Sequence, residues 1–318
     1  MAKFQIIEKE LISNIIRGAS FDDLILNSEE AFISYSRGRT VVPEVGHLQF
    51  IDPPGEVHIK YGYIRDQKYF VVKIASGFYE NGLLDLPSGM GINLIFNQCS
   101  GELKFILADE GFLTDIRTAL AGAVAAKYLA PKEIIKIGVL GTGVQARLQL
   151  KYLKGITACR NVMAWGRNSF RVEQLKNDLE KEGFVVEVTD KVSKITQNCN
   201  LIVTTTASRQ PLIKSKDIQP GTHITAVGAD SPGKQELESS LLQRANLVVA
   251  DSISQCTNHG EIHKAFAEGL IKTEKIQELG NIINTKAYHR QDEDISIADL
   301  TGIASQDIQI SNFIIDHL

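Results

Sequence analysis

The sequence predicts an α/β protein with two kinds of sheet: a parallel sheet domain in the second half of the chain and a mainly antiparallel α+β domain before it. The antiparallel domain is predicted from strands separated by turns, at residues 57–61, 69–75, 92–97 and 103–107. The parallel sheet is predicted from alternating strands and helices, with strands at residues 161–165, 185–188, 201–205, 223–227 and 247–250 and a helix at 170–182.

A glycine motif begins the second pattern. Gly141-Thr142-Gly143-Val144-Gln145-Ala146 follows an apolar strand at residues 135–140 and precedes a helix predicted at 145–153. The first glycine permits a tight turn, the second lets the backbone approach phosphates, and the alanine lets the helix pack on the strand. A phosphate would then face the positive end of the helix. Although ordinary glycine turns also match this pattern, its place between strands predicts a Rossmann domain that binds a dinucleotide.

The end of the next strand indicates which dinucleotide is preferred. An acid is expected there for NAD, because it accepts hydrogen bonds from the ribose hydroxyls. The segment Trp165-Gly166-Arg167-Asn168-Ser169 contains no acid. A guanidinium can pair with a ribose 2′-phosphate, so the sequence favours NADP(H) and leaves NAD(H) possible. The alternative is a solvated arginine in a loop. The residues predicted to contact the cofactor are Thr118, Gly141, Thr142, Gly143, Val144, Gln145, Ala146, Arg167, Asn168, Thr205, Val227 and Gly228.

Four charged residues are candidates for chemistry on a small acid. Lys73 ends a strand that is otherwise too apolar for a solvated lysine, and Arg117 opens a helix, where a cation opposes the helix dipole. These two and Arg39 could hold a substrate carboxylate, although structural ion pairs would explain them equally. Asp230 lies in a turn directly after a strand, where catalytic groups of open α/β sheets collect, but where turn-forming Asp residues are also common.

Composition excludes several classes. The formal net charge is −4 and no run of basic residues is present, so nucleic acid is not an expected partner. The amino terminus lacks the layout of a signal peptide, and no apolar run approaches the roughly 18 to 20 residues needed to cross a bilayer. The 4 cysteines are scattered, which predicts neither disulfides nor a metal site. A cytoplasmic protein is expected.

Six segments occur in the same order in the ornithine cyclodeaminase/mu-crystallin family, which the chain resembles over nearly its whole length. They are residues 39–43, Lys73, residues 115–119, the glycine motif, residues 228–234 and residues 299–304. The resemblance implies a homodimer joined through substrate domains. It also implies that Arg39, Lys73 and Arg117 hold the substrate carboxylate and neighbouring nitrogen, and that Asp230 activates water or handles a proton.

The same resemblance implies the domain layout. A substrate-binding and dimerisation domain is expected to comprise residues 1–118 and 300–318, with the Rossmann domain at residues 119–299 between them. The tail, residues 297–318, has a helical pattern and shows no obvious strand that could extend the parallel sheet. We therefore expect the tail to return to the first domain.

Family members differ in reaction. Cyclodeaminases convert ornithine to proline with loss of ammonia and recycle NAD, whereas reductases consume NAD(P)H to reduce cyclic imines or linear imino acids. The strand ending Trp165-Gly166-Arg167-Asn168 resembles that of the ketimine reductases, which favour NADPH, more than that of the cyclodeaminases. Cyclodeaminases have a glutamate in the strand before the one that carries the lysine, and it receives the distal amine of ornithine. Alignment puts Lys60 at this position in the present chain, although a register slip could bring Glu56 or His58 there instead. Lysine would repel a distal ammonium by about 1 kcal/mol or more.

The sequence therefore predicts NAD(P)H-dependent reduction of a small cyclic imino acid of the Δ1-pyrroline-2-carboxylate type to the L-amino acid. Asp230 or Lys73, through a water, is the expected proton source. Ornithine cyclodeaminase and a linear amino-acid dehydrogenase, such as alanine dehydrogenase, remain alternatives. A binding protein that retains the nucleotide site without turnover is a third.

Overall fold

The structure is a computed structural model that describes residues 4–78 and 80–318. It contains two compact units. Unit 1 comprises the described residues up to Arg117 together with Ile303–Leu318, and unit 2 comprises Thr118–Gly302. Within the described ranges, no helix combines the length and apolar character needed to span a membrane.

The longest strands are β4, β5 and β6 of unit 1, with 10, 10 and 9 residues. Those of unit 1 are β1 Gln5–Glu8, β2 Thr40–Val41, β3 Gly46–Phe50, β4 Gly55–Ile64, β5 Tyr69–Phe78, β6 Gly89–Asn97 and β7 Leu103–Ala108. Those of unit 2 are β8 Ile137–Leu140, β9 Asn161–Trp165, β10 Val185–Val188, β11 Leu201–Thr204, β12 His223–Ala226, β13 Leu247–Ala250, β14 Ile276–Glu278 and β15 Ser296–Asp299.

The helices in chain order are α1 Lys9–Gly18, α2 Phe21–Ser36, α3 Phe112–Leu129, α4 Val144–Leu153, α5 Ser169–Lys181, α6 Val192–Asn198, α7 Ser239–Arg244, α8 Ile253–Cys256, α9 Glu261–Ala267, α10 Leu279–Thr285 and α11 Ala304–Asp316. Short 3-10 turns occur at Asn81–Leu84, Ser215–Asp217 and Thr273–Lys275. Arg117 was predicted to open a helix, whereas α3 begins at Phe112, so Arg117 lies in the second turn of that helix.

Unit 1 is built on a mainly antiparallel sheet, which confirms the predicted class. The strand order is β1-β7-β6-β5-β4-β2, with β3 also paired to β4. The pairing of β1 with β7 is parallel and the others are antiparallel. Side chains alternate between the two faces. Helices α2 and α11 pack together, and α11 packs on β4 and β5, so that Val71, Lys73 and Ile95 are buried beneath the helices.

Unit 2 is a Rossmann-type domain with an entirely parallel sheet, in the order β10-β9-β8-β11-β12-β15-β13-β14. Its central strands are buried along their whole length, as helix-covered parallel strands require. The chain runs from β8 outward to β10 and then crosses back to β11 on the other side of β8. This reversal opens a crevice at the carboxyl ends of β8 and β11.

The prediction for the tail was partly wrong. Residues Ser296–Asp299 form β15, which lies between β12 and β13 near the middle of the parallel sheet, and the helix begins at Ala304. Both partners of β15 precede it by dozens of residues, and the segment itself has few apolar side chains. Its strand conformation therefore comes from the two neighbouring strands, which supply the backbone hydrogen bonds, and not from a local pattern. Helix α11 belongs to unit 1.

Candidate functional site

The predicted glycine motif forms the turn between β8 and α4 in unit 2. Gly141 has a φ of +119°, and a Cβ on it would lie 2.3 Å from Oγ1 of Thr205. Gly143 is the N-cap residue of α4, and a Cβ there would meet no atom within 4 Å. Ala146, in the first turn of α4, is fully buried. The turn thus leaves backbone exposed at a helix N-terminus, which is suited to phosphate.

A cleft of about 200 Å³ opens beside this turn, and we call it the nucleotide cleft. It is lined by residues at or after the carboxyl ends of β8, β9 and β11: Gly141, Thr142, Trp165, Gly166, Arg167, Asn168, Arg171, Thr205, Thr206, Ala207, Ser208 and Leu212. Among these described lining residues none is acidic, whereas two are arginines. The cleft is therefore electrostatically suited to an anionic ligand.

The segment from β9 into α5 contributes a helix cap and two exposed arginines to the cleft. The Oδ1 atom of Asn168 accepts a hydrogen bond from the backbone N–H of Arg171 at 3.0 Å and so caps α5. Arg167 and Arg171 are both exposed at the cleft. Sequence analysis missed Arg171. Its signal was a cation in the first turn of a helix, which the helix dipole disfavours unless an anion is bound nearby.

A second missed residue, Glu236, shapes the wall of the cleft. It is fully buried and accepts hydrogen bonds from the Thr204 and Thr206 hydroxyls at 2.6 and 2.7 Å. It also accepts from the backbone N–H groups of Thr206 at 2.6 Å and Gly228 at 3.0 Å. Burial raises the pKa of Glu236 to about 7, although these hydrogen bonds oppose the shift. Glu236 therefore holds the segments after β11 and β12 in place.

The remaining predicted cofactor residues also have structural roles. The Thr205 hydroxyl donates to the Leu140 carbonyl at 3.1 Å, and the Val227 N–H donates to the Thr204 carbonyl at 3.0 Å. Gln149 donates to the Thr118 carbonyl at 3.0 Å and to the Gln145 side chain at 3.3 Å. Val144 begins α4 and is exposed. A Cβ on Gly228 would lie 2.2 Å from the Thr206 carbonyl, so the backbone there requires glycine.

In unit 1, two predicted substrate residues meet at an acid that sequence analysis missed. Lys73 Nζ lies 2.9 Å from Oδ1 of Asp307, and Arg117 Nε lies 3.2 Å from the same oxygen. All three residues are buried. We call this the buried charge cluster. The other oxygen of Asp307 accepts no hydrogen bond from the described residues.

The cluster is positioned by β5, α3 and α11. Lys73 has Lys60 on β4 and Asn93 on β6 as its cross-strand neighbours. Asn93 in turn donates to the buried Asp109 at 3.3 Å. The signal for Asp307 was an acid in the first turn of an otherwise buried helix, where it benefits from the helix dipole.

Burial and charge shift the pKa of the lysine. Burial lowers the pKa of Lys73 to about 8, and the charges of Arg117 and Lys60 add to this effect while Asp307 opposes it. Burial alone would raise the pKa of Asp307, but the neighbouring cations, chiefly Lys73 and Arg117, hold it below its ordinary value. Lys73 can therefore exchange a proton close to neutral pH.

Arg39 and Asp230 lie in less enclosed surroundings. Arg39 immediately precedes β2, and its Nη1 donates to Glu30 at 3.0 Å, with both side chains about two-fifths exposed. Asp230 follows β12 in unit 2 and is exposed. Its Oδ1 accepts a hydrogen bond from Lys234 Nζ at 2.6 Å. Within unit 1, Arg39 makes no described hydrogen bond or ion pair with the charge cluster.

Comparison with known proteins agrees with this arrangement. The family model for the ornithine cyclodeaminase/mu-crystallin family matches residues 10–318. The chain belongs to this family. An uncharacterized cyclodeaminase of Sinorhizobium fredii is 36% identical over 293 residues, covering 91% of this chain and 88% of the relative.

Two further relatives carry more specific names. A Δ1-pyrroline-2-carboxylate reductase of Bacillus cereus is 28% identical over 302 residues, covering 94% of this chain and 92% of the relative. The structure of an archaeal alanine dehydrogenase dimer with bound NAD superposes with a TM-score of 0.89 at 29% identity, covering 98% and 95% of the two chains. The predicted resemblance and fold are thus confirmed.

Proposed function

We propose that this protein is an NAD(P)H-dependent reductase that converts a small cyclic imino acid of the Δ1-pyrroline-2-carboxylate type to the L-amino acid. The proposal is based mainly on the buried charge cluster, in which two cations share one carboxylate oxygen. Buried cations are costly unless paired, so a cluster with an excess of positive charge favours an anionic ligand. The carboxylate of an imino acid meets this requirement at Arg117 and Lys73, with Arg39 as a further predicted contact.

The chemistry needs a hydride and a proton. In the proposed reaction, hydride passes from nicotinamide C4 to the imine carbon, and the carbon–nitrogen double bond becomes a single bond. Protonation of the nitrogen makes the imine carbon far more electrophilic, and Lys73, with a pKa of about 8, is the group we propose for this step, directly or through a water. Asp230, exposed and bonded to Lys234, is the second candidate.

The nucleotide cleft supports NADP(H) as the preferred cofactor. Arg167 and Arg171 line the cleft, and the described lining residues contribute no carboxylate that would repel a 2′-phosphate. The archaeal relative binds NAD, so NAD(H) is the competing assignment. We propose that Arg167 and Arg171 pair with the 2′-phosphate and that the turn at Gly141 and Gly143 holds the pyrophosphate.

The strand register favours a reductase over a cyclodeaminase. Lys60 is the cross-strand partner of Lys73, whereas Glu56 pairs with Gly77 and His58 pairs with Ala75. The position beside Lys73 therefore carries an ammonium in this chain, which would repel the distal amine of ornithine. Ornithine cyclodeaminase remains the first alternative, and a linear dehydrogenase such as alanine dehydrogenase is the second because of the archaeal relative.

One incubation series distinguishes these reactions. The protein is mixed with NADPH or NADH and with pyrroline-2-carboxylate, piperideine-2-carboxylate, ornithine with NAD, or pyruvate with ammonia. Nicotinamide absorbance and ammonia are followed together. The proposal expects NADPH oxidation with a cyclic imine and no ammonia release from ornithine. Ammonia release from ornithine without a net change in absorbance would establish the cyclodeaminase instead.

The outer face of the unit 1 sheet supports the homodimer. On the face opposite Lys73, cross-strand rows are apolar from β4 to β6 and include Ile59–Ile74–Ile92, Tyr61–Val72–Leu94 and Tyr63–Phe70–Phe96. These residues are exposed or half-exposed. An apolar sheet face of this extent is characteristic of an interface. We propose that a second copy of the chain covers it, as the family resemblance implies.

A further inference from the structure

We propose that His47, Glu56 and His58 bind a divalent transition-metal ion of the zinc class on the β3–β4 hairpin of unit 1. Strand pairing brings the residues together. His47 lies directly opposite His58 in the antiparallel register. Glu56 precedes His58 by two residues and therefore projects from the same face of β4. The sequence did not predict this site, because the three residues come close together only when β3 pairs with β4.

The ligand atoms have the separations that a small ion requires. Nε2 of His58 lies 3.3 Å from Oε2 of Glu56, and Nε2 of His47 lies 3.7 Å from the same oxygen. The ligand atoms of all three residues lie within 4.8 Å of one another. Tetrahedral zinc, with ligand bonds of about 2.0–2.1 Å, holds its ligand atoms about 3.4 Å apart. An ion therefore fits with small side-chain adjustments.

The donor set determines the class of ion. Two imidazoles and one carboxylate suit zinc, cobalt, nickel and copper, whereas magnesium and calcium prefer oxygen ligands alone. Three protein ligands leave one position for water. The side chains of His47, His58 and Glu56 are 35%, 24% and 16% exposed, so an ion can reach them from solvent.

The surroundings leave room for the ion. The residues of β5 beside His58 and Glu56 are Ala75 and Gly77, which carry at most a methyl group. An ion bridging His47 and His58 would fasten β3 to β4, its paired strand. Metal binding should therefore stabilise the hairpin, and this proposal is independent of the proposed reaction.

The test uses the full chain after removal of metals with a chelator. Calorimetric titration with Zn²⁺ and visible spectroscopy with Co²⁺ should show one ion per chain, and Mg²⁺ and Ca²⁺ should not bind at the same concentrations. His47→Ala and His58→Ala should each weaken Zn²⁺ binding by about 100-fold or more, since even the loss of a group supporting a ligand costs 10- to 100-fold. His289→Ala, which changes an exposed histidine in unit 2, should bind as the parent does. Zn²⁺ should raise the melting temperature of the parent but not of His47→Ala.

Three results would overturn the proposal. The first is Zn²⁺ affinity that is unchanged in His47→Ala and His58→Ala. The second is an equal loss of affinity in His289→Ala. The third is a thiolate-to-cobalt charge-transfer band, which would place the ion on the exposed Cys99 instead. If His58→Ala does not fold, His47→Ala, in the more exposed strand, gives the same readout alone.

Discussion

At the scale of single residues, the buried charge cluster contains more positive than negative charge. Lys73 and Arg117 share one oxygen of Asp307, and the other oxygen has no hydrogen-bond partner among the described residues. Removing ions from water costs several kcal/mol each, and one acid offsets only part of the cost of two cations. An anionic ligand would complete the pairing. In our proposal, the cluster therefore holds the substrate carboxylate.

Replacing Arg117 with Ala tests this role. The variant loses a charge-assisted pair with the substrate carboxylate, which contributes about 1.5 to 3 kcal/mol. The value of kcat/KM should therefore fall by about 10- to 150-fold. Steady-state kinetics with the imine substrate measures the change. Arg65→Ala, which removes an exposed arginine of the same unit, is the matched control and should leave kcat/KM unchanged. Equal values for Arg117→Ala and the parent would exclude Arg117 from the site.

The pH profile tests the proton donor. Because burial lowers the pKa of Lys73 to about 8, the protonated form that donates is lost above this pH. kcat/KM should therefore decrease about tenfold per pH unit above about pH 8. Asp307 raises the pKa of Lys73, so Asp307→Asn should move this decrease to lower pH. A profile that stays flat to pH 10, or the same profile in both proteins, would argue against Lys73 as the donor.

Single residues were only partly predictable from the sequence. Lys73 was identifiable because it interrupts an apolar strand, and Arg117 because a cation was expected at a helix start, although α3 begins at Phe112. Asp307 and Glu236 were missed because their importance depends on partners far along the chain. Asp307 is 234 residues from Lys73, and Glu236 contacts segments that follow two different strands. No local pattern records such pairings.

At the scale of elements, the junction between β9 and α5 determines cofactor preference in our proposal. In Arg167→Asp, the cation that would pair with the 2′-phosphate is lost. The new carboxylate repels the 2′-phosphate and can accept a hydrogen bond from a ribose hydroxyl. The ratio of kcat/KM for NADPH to that for NADH should decrease by at least about tenfold, since a charged hydrogen bond contributes about 1.5 to 3 kcal/mol.

The control for this change is Lys194→Asp. Lys194 is an exposed residue of α6 in the same unit, and it does not line the nucleotide cleft. The substitution alters net charge by the same amount and should leave cofactor preference unchanged. An Arg167→Asp variant that still prefers NADPH as strongly as the parent would refute our interpretation of this junction.

Elements with a local pattern were predicted well, and those that depend on pairing were not. The strand and helix periodicities placed β9, β10 and β13 at the observed residues. Short edge strands such as β1 and β14 were not predicted, and β15 was assigned to a helix. The predicted strands β10 and β13 each contain at least three apolar residues, whereas β1, β14 and β15 contain at most two, so neighbouring strands determine the conformation of the missed strands.

At the scale of the whole molecule, the uncovered apolar face of the unit 1 sheet predicts a dimer. Light scattering during size exclusion should give about twice the chain mass of 35.1 kDa. Ile74→Lys places a charge in the middle of the apolar rows and should shift the protein toward the monomer. Ile135→Lys, at an exposed position of unit 2, is the control and should remain dimeric. A monomeric parent, or an Ile74→Lys variant of unchanged mass, would contradict the proposed interface.

The fold class could be predicted because strand–helix alternation and antiparallel turns are visible over long windows of sequence. The family followed from six short segments in a shared order, and the family model confirms it. The reaction was harder to predict because the branches share these segments. The register of Lys60 beside Lys73, which the structure supplies, was ambiguous by alignment alone.

The central claim is that hydride from the nicotinamide reaches the carbon of an imino acid. The most direct measurement uses NADPH deuterated at the transferring C4 position, with pyrroline-2-carboxylate as substrate and mass spectrometry of the product. Our account predicts L-proline with one deuterium on Cα, formed in proportion to the NADPH oxidised. Unlabelled proline, or no oxidation while ornithine is converted with release of ammonia, would contradict it.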